Sequence, residues 1–231
     1  MKRRWIYLPF LLIVFLNHTT VAYDTDWTEK KLGKVILKAD KAARQKKWAR
    51  AIRYGEQMLQ GAESLGQPND ARYINQLKNL NRYYDKAKRL REVPERVKKG
   101  YILSKEHLGP NHETTRMSRT LYYKFLISNK NYNDAISLVL ENLSILKKDK
   151  NEDYRQYHYL KQLYSLYRMT GQLGKEEATL LRFLDLDKQI FNSSAKENIK
   201  IILNLANNYC RQKKFEKFNS LIKKYKLKYT C

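Results

Sequence analysis

The sequence predicts an all-α protein built as a solenoid of about five antiparallel helix pairs. The first observation is a regular spacing, because five large apolar or aromatic residues follow short polar stretches at intervals of 42, 42, 41 and 42 residues. We name these the marker residues: Trp48, Leu90, Tyr132, Leu173 and Phe215. A fixed period of about 20–50 residues is typical of proteins in which one supersecondary unit stacks on copies of itself. The second observation is composition, since 231 residues with only 8 glycines and 4 prolines favour long helices.

The sequence of each unit predicts a helix, a short polar turn, a marker residue and a second helix. In the first unit, apolar residues recur at helical spacing over residues 32–44, the turn covers residues 45–47, and the second helix runs from Trp48 to about Leu65. The third and fifth units repeat this arrangement. Two helices cannot bury their apolar faces without stacked neighbours, so we expect the marker residues of these three units to be buried where their helices meet.

Several of these units carry a recurring pattern of Leu, a small residue, Tyr, a turn, an aromatic residue and then Ala. Residues 204–209 followed by Phe215 fit it, and so do Tyr122 and Leu126 before Tyr132. In this pattern the chain resembles the tetratricopeptide repeat (TPR) family. Its period exceeds the usual length of about 34 residues and is similar to that of the long repeats in kinesin light chains. The resemblance implies a right-handed solenoid; a HEAT- or armadillo-type solenoid is the alternative.

The fourth unit departs from this pattern. Three residues after the marker residue the family prefers Ala, but Glu176 takes that place, and Ala178 is its candidate substitute if the register slips. We expect Glu176 and Glu177 to form an exposed pair at a helix start, where acidic side chains suit the helix dipole.

The candidate functional surface is one face of the first helix in each unit, which in the resembled family lines a concave peptide-binding groove. Counting back from the marker residues places the following side chains there: Arg44, Asn75, Lys78, Arg82, Lys86, Lys124, Lys161, Arg168, Lys200, Asn207 and Arg211. The acids Asp40 and Asp85 fall on the same face. Basic donors along one groove suit an acidic peptide or partner protein. The alternative interpretation is that a lysine-rich chain exposes lysine on every face.

The net charge of +24 favours binding to polyanions in general. An anionic membrane or polysaccharide surface is therefore the alternative partner, which would make the protein a surface-associated structural protein. Because we expect the chain to be exported, we do not expect nucleic acid as a partner.

Residue patterns that carry catalysis are sparse. The sequence has neither a glycine-rich phosphate loop, nor a nucleophile elbow, nor a zinc-protease helix. His107 and His112 flank a Gly-Pro turn without an acid at helical spacing, so we expect helix capping or solvent exposure. We predict a non-enzymatic protein with no catalytic residue, metal site or cofactor.

The N-terminus has the features of a cleavable secretory signal. Residues 2–4 are basic, residues 5–16 form an apolar run too short to span a bilayer, and small residues end at Ala22. Residues 1–22 are thus the predicted signal peptide, and residues 23–231 a single domain exported to the periplasm or the cell exterior. The alternative is an uncleaved anchor.

The two cysteines are Cys210 and Cys231. A helix over about residues 215–228 would be roughly 20 Å long and would separate them, whereas a disulfide tolerates Cα atoms roughly 7 Å apart. We expect Cys231 to be free or to form an intermolecular disulfide, because only a tail folding back along the helix could join the two thiols.

If the signal is cleaved, the mature protein begins at Tyr23, immediately after the small-residue site. Mass spectrometry of the exported protein should give this N-terminus. A membrane-bound product that retains Met1 would contradict cleavage and support the anchor.

Overall fold

A computed structural model describes residues 27–66, 69–146, 153–191 and 198–231, so the predicted signal peptide lies outside the described residues. Within these ranges the chain forms ten α-helices, one 3₁₀ turn at Leu90–Glu92 and no β-strand. The helices are α1 (Glu29–Arg44), α2 (Trp48–Leu65), α3 (Ala71–Lys86), α4 (Pro94–Leu108), α5 (Glu113–Ser128), α6 (Tyr132–Leu146), α7 (Asp153–Met169), α8 (Leu173–Phe191), α9 (Ile199–Arg211) and α10 (Phe215–Tyr225).

The helices pack in chain order. Each one contacts the next, and α3 also contacts α5 directly. Odd-numbered helices are the first helices of their units and even-numbered helices are the second ones. This is the stacking of an α-solenoid, and the predicted fold class of about five antiparallel helix pairs is confirmed. None of the described helices is both long and apolar enough to cross a membrane.

The same turn joins the two helices of every unit. Two residues before each marker residue the backbone is left-handed, with φ between 55° and 69°, at Lys46, Lys88, Lys130, Gly171 and Lys213. In the first unit, the Lys47 N–H donates to the Ala42 carbonyl at 2.9 Å and the Lys46 N–H to the Ala43 carbonyl at 3.0 Å. These two bonds form a Schellman motif, which satisfies carbonyl groups left free at a helix end.

Trp48, Tyr132 and Phe215 open the second helices of their units, but they are not the buried residues. Trp48 and Tyr132 are half-buried and Phe215 is 54% exposed, so the expectation of burial is wrong. The buried position lies three residues later, at Ala51, Ala135, Glu176 and Phe218. A marker residue is the first residue of its helix and lies beside the turn, whereas the residue one helical turn later points inward.

The second unit varies this arrangement. Leu90 opens the 3₁₀ turn instead of an α-helix, and α4 begins only at Pro94. Proline suits the first position of a helix, where a missing N–H leaves no intrahelical bond unmade.

Two apolar clusters form the core. The N-terminal cluster includes Leu32 and Leu80, and the C-terminal cluster includes Phe183 and Ile202. Helix α5 belongs to both clusters, because Leu121 lies in the N-terminal cluster and Leu126 in the C-terminal one. The α5 side chains Tyr122 and Phe125 pack against both clusters. The core therefore continues through the middle of the solenoid.

The C-terminal tail corrects the expectation for the cysteines. After α10, Lys226 adopts a left-handed conformation with φ of 49° and reverses the chain. The Tyr229 ring then lies 6.0 Å from the Phe218 ring, and Cys231 forms a disulfide with Cys210, with Cα atoms 5.4 Å apart. The prediction of a free or intermolecular Cys231 is wrong, because the tail returns along α10 and brings the two sulfur atoms together.

The left-handed lysines should lower stability at their turns, since a Cβ atom disfavours this backbone region. Lys46→Gly should raise the free energy of unfolding by about 0.5–1 kcal/mol, as measured by urea denaturation. The matched control is Lys47→Gly at the next residue, where φ is −83°. That variant should lose about 0.5–1 kcal/mol, because glycine there only adds unfolded-state entropy. Equal effects of the two substitutions would show that the left-handed turn costs nothing.

Candidate functional site

The predicted groove side chains of α3 lie together on the outer side of the helix. Asn75, Lys78, Arg82 and Lys86 recur every three or four residues and are partly or fully exposed, while Leu77 is buried on the opposite side. This spacing is that of a single helical stripe.

The other first helices carry similar stripes. The predicted residues Arg44, Lys124, Lys161, Lys200 and Asn207 are exposed on α1, α5, α7 and α9. Counting back from the marker residues missed four further exposed cations on these stripes: Lys30, Lys34, Lys41 and Arg116. Extending the three-to-four-residue spacing along the whole helix would have found them. We name the exposed side of α1, α3, α5, α7 and α9 the basic face.

Three predicted cations meet in an open cleft between α1 and α3, with a volume of about 340 Å³. Arg44, Arg82 and Lys86 line this cleft together with the aromatic ring of Trp48. Its one carboxylate, Asp40, accepts a hydrogen bond from the Tyr83 hydroxyl at 3.1 Å. The cleft therefore combines an excess of positive charge with apolar surface.

The hydroxyl of Tyr83 stays a hydrogen-bond donor at neutral pH. Burial and the neighbouring Asp40 carboxylate raise the pKa of Tyr83 to about 12. Asp40 is thus engaged by the protein itself, which leaves the cations of the cleft in excess.

A second cleft, of about 370 Å³, lies between α3 and α5. Lys124 and Asp85 both line it, and the Lys124 Nζ lies 2.6 Å from an Asp85 carboxylate oxygen. Arg91 donates a hydrogen bond to the Ser128 carbonyl across the same cleft. Lys124 is therefore a predicted groove residue that already has a partner, which an external carboxylate would have to replace.

Lys78 lies in a less hydrated environment than the other lysines of the stripe. Its Nζ donates to the Asn75 side-chain carbonyl at 2.7 Å. Burial and the nearby Arg82 lower the pKa of Lys78, while Glu113 opposes the shift. The two predicted residues Lys78 and Asn75 are thus hydrogen-bonded to each other along the stripe.

Arg168 and Arg211 bind a buried carboxylate of the protein itself. Glu176 is 0% exposed, and it accepts hydrogen bonds from Arg168 Nε at 2.8 Å, Asn208 Nδ2 at 3.0 Å and Arg211 Nη1 at 3.4 Å. The expectation that Glu176 is exposed is wrong, because it occupies the inward position where the first and third units bury Ala. A carboxylate there needs charged partners, and α7 and α9 supply them. Ala178 is exposed, so it does not replace Glu176.

Glu177 is also buried, contrary to the prediction of an exposed pair. It accepts hydrogen bonds from Lys214 Nζ at 2.6 Å and from Gln212 Nε2 and Lys217 Nζ, each at 2.8 Å. Burial disfavours the charged form, but these hydrogen bonds outweigh it and hold the pKa of Glu177 at about 2. The two glutamates fasten the last helix pair to the fourth unit.

His112 caps a helix, as the sequence predicts. The His112 side chain caps α5 by accepting a hydrogen bond from the Thr114 N–H at 3.2 Å, as expected for helix capping. In the part of the chain that the structure describes, no group of three or more His, Cys, Asp or Glu side chains is arranged to hold a metal ion.

This architecture defines the class of protein: an α-solenoid with the TPR-like fold. A kinesin light chain protein of Podosopora anserina with nearly identical TPR-like repeats superimposes with a TM-score of 0.64 at 14% identity, covering 84% of this chain and 94% of that one. A substituted variant of that protein gives a TM-score of 0.62 at the same identity and coverage.

A third similar structure is BtubC (BKLC) from P. vanneervenii, with a TM-score of 0.58 and 15% identity over 85% of this chain and 79% of that chain. No protein-family model matches the sequence, and no curated protein matches it significantly. The similarity therefore establishes the long-repeat fold predicted from the sequence.

The low pKa of Glu177 makes the contact between α8 and the last helix pair sensitive to acid. A carboxylate whose pKa is depressed on folding stabilises the protein above its unfolded pKa of about 4.5, and this contribution is lost as the pH falls towards 2. At pH 6, Glu177→Gln should lower the free energy of unfolding by on the order of 2 kcal/mol.

The difference from the wild-type protein should shrink between pH 4.5 and 2, as measured by chemical denaturation across this range. The exposed Glu106→Gln variant controls for the loss of one negative charge. A difference for Glu177→Gln that stays constant down to pH 2 would contradict the role of its ion pairs.

Proposed function

We propose that the chain is an exported protein-interaction scaffold whose basic face binds an acidic peptide or partner protein. The observation that carries this proposal is the row of exposed cations along the first helices. In the cleft between α1 and α3, Arg44, Arg82 and Lys86 surround one carboxylate that is already hydrogen-bonded. Guanidinium and ammonium groups arranged in this way suit carboxylates of an extended acidic segment.

The N-terminal half of the basic face is the better candidate for binding. Arg168 and Arg211 bind Glu176, so these two cations of the last two units serve the fold. Arg44 and Lys86 are exposed in the first cleft, which also offers the apolar surface of Trp48. An acidic ligand would gain both charge-assisted hydrogen bonds and apolar contact there.

Export is part of the proposal. The apolar run at residues 5–16 and the small-residue site at Ala22 support a secretory signal. The Cys210–Cys231 disulfide gives independent support, because such bonds persist in oxidising compartments such as the periplasm and the cell exterior.

A second candidate function rests on the net charge of +24. The whole exterior could then hold the protein to an anionic lipid or polysaccharide surface. Binding of this kind depends on long-range attraction and should disappear in about 0.5 M salt, where screening acts within a few ångströms. Binding to the cleft with apolar contacts should weaken but persist.

The charge-reversal variant Arg44→Glu/Lys86→Glu tests the basic face. Charge-assisted hydrogen bonds contribute about 1.5–3 kcal/mol each when well formed, so the variant should bind a fluorescent Asp- and Glu-rich peptide at least about tenfold more weakly. Fluorescence anisotropy at low and high salt measures this change, with vesicles containing phosphatidylglycerol as the second ligand.

The matched control is Lys98→Glu/Lys223→Glu, which reverses two exposed lysines on the second helices α4 and α10. Both variants lower the net charge equally. The control should bind the peptide almost as the wild-type protein does. Equal losses in the two variants would assign binding to total charge and favour the surface-associated function.

A further inference from the structure

Side chains bridge most of the gaps between consecutive second helices. α2 and α4, α4 and α6, and α8 and α10 are each joined by an ion pair. The pairs are Glu56–Arg96 and Lys105–Glu141, each at 2.9 Å, and Glu177–Lys217 at 2.8 Å. Charged contacts therefore close three of the four gaps on this side of the solenoid.

The remaining gap, between α6 and α8, is open and apolar. Among the described residues no ion pair joins these helices, and α6 contains no lysine or arginine. The gap holds a cleft of about 330 Å³, with Leu140 and Leu143 of α6 on one wall, Ala178 of α8 on the other, and Leu160 and Leu163 of α7 below.

Leu140 takes a repeat position that is charged in the first unit. It lies eight residues after its marker residue, as Glu56 does in the first unit, where Glu56 pairs with Arg96. The Leu140 side chain is 44% exposed in the cleft. At this gap an exposed leucine thus stands where the first unit has a bridging carboxylate, and the apolar surface stays accessible.

Two cations stand at the rim of the cleft. Lys175 Nζ donates to the Gln172 side chain at 2.8 Å, and Arg182 Nη2 donates to the Gln156 side chain at 2.9 Å. Both partners are neutral amides, and none of the described residues that line the cleft is acidic. The rim therefore complements a carboxylate.

We propose that α6, α7 and α8 form a docking groove for an acidic amphipathic helix of a partner protein, separate from the basic face. The wall positions 140, 143 and 144 on α6 and 175, 178, 179 and 182 on α8 recur at helical spacing. They define a groove about 10 Å long, at a rise of about 1.5 Å per residue. Two turns of a helix with apolar residues on one face would lie in it, with acidic residues at the rim.

Charge selects this occupant over two others. A second copy of the chain would bring another net charge of +24 to a cationic rim. The chain's own apolar run, residues 5–16, directly follows the basic residues 2–4, which the same rim would repel. An acidic partner meets no such repulsion.

The test uses the full chain and two synthetic amphipathic peptides with identical leucine positions, one with glutamate and one with lysine on the polar face. The glutamate peptide should bind in fluorescence anisotropy, and the lysine peptide should not. Ala178→Trp fills the cleft from an exposed position and should weaken binding of the glutamate peptide at least about tenfold. Arg182→Gln should weaken it several-fold while leaving the apolar walls intact.

Leu181→Trp, at an exposed position of α8 outside the cleft, is the matched control and should bind as the wild-type protein does. The variant Arg44→Glu/Lys86→Glu should also retain binding of the glutamate peptide. This result would show that the peptide binds the groove and not the basic face.

Four results would overturn the proposal. These are unchanged binding by Ala178→Trp, loss of binding only in Arg44→Glu/Lys86→Glu, binding only after deletion of residues 1–22, and a dimer in sedimentation that Ala178→Trp abolishes. The last two would make the chain's own N-terminus or a second copy the occupant.

Discussion

The architecture depends on a reversal of the chain between the two helices of each unit. In all five turns, an N–H donates to the carbonyl five residues earlier at 2.8–2.9 Å, and the residue before that N–H is left-handed. Because the turn has the same length each time, the second helices of the first, third, fourth and fifth units start with the same rotation about their axes. In these four units the residue three positions after the marker residue points inward. In the second unit the 3₁₀ turn at Leu90–Glu92 comes before α4.

In the fourth unit, the inward position three residues after the marker residue holds a charged side chain, which needs partners of its own. The inward position is Ala51 in the first unit and Ala135 in the third, but Glu176 in the fourth. A buried carboxylate is costly unless it is paired and hydrogen-bonded. Arg168 and Arg211 satisfy it, and this recruits cations from two first helices for structure. Here the solenoid uses electrostatics where the other units use close packing.

Specific side-chain contacts also hold the last described helix pair, α9 and α10. Phe218 is the one residue of α10 that is buried within the described range. The tail after Lys226 packs Leu227 and Tyr229 against the C-terminal cluster, and the disulfide holds it there. The tail thereby covers apolar surface of α10 that the preceding helices leave free. The Glu177 ion pairs with Lys214 and Lys217 hold the same helix pair at the turn between α9 and α10.

The sequence by itself determined the period, the helix pairs and, in four of the five units, the residue that opens the second helix. Apolar spacing and turn composition are local properties of the chain, which is why they could be read from it. Helical periodicity also fixes which residues share a face, and Asn75, Lys78, Arg82 and Lys86 recur at that spacing along α3.

The tertiary structure alone decided the burial of Glu176, the partners of Arg168 and Arg211, the exposure of Phe215 and the pairing of Cys210 with Cys231. The pairings join residues 8 to 35 positions apart in sequence, which come together only when helices stack or the tail turns back. The left-handed conformation of Lys226 is the clearest example of a feature that could not be predicted from the sequence. A single residue that carries no strong turn signal reverses the chain and joins two cysteines that a straight helix would keep apart.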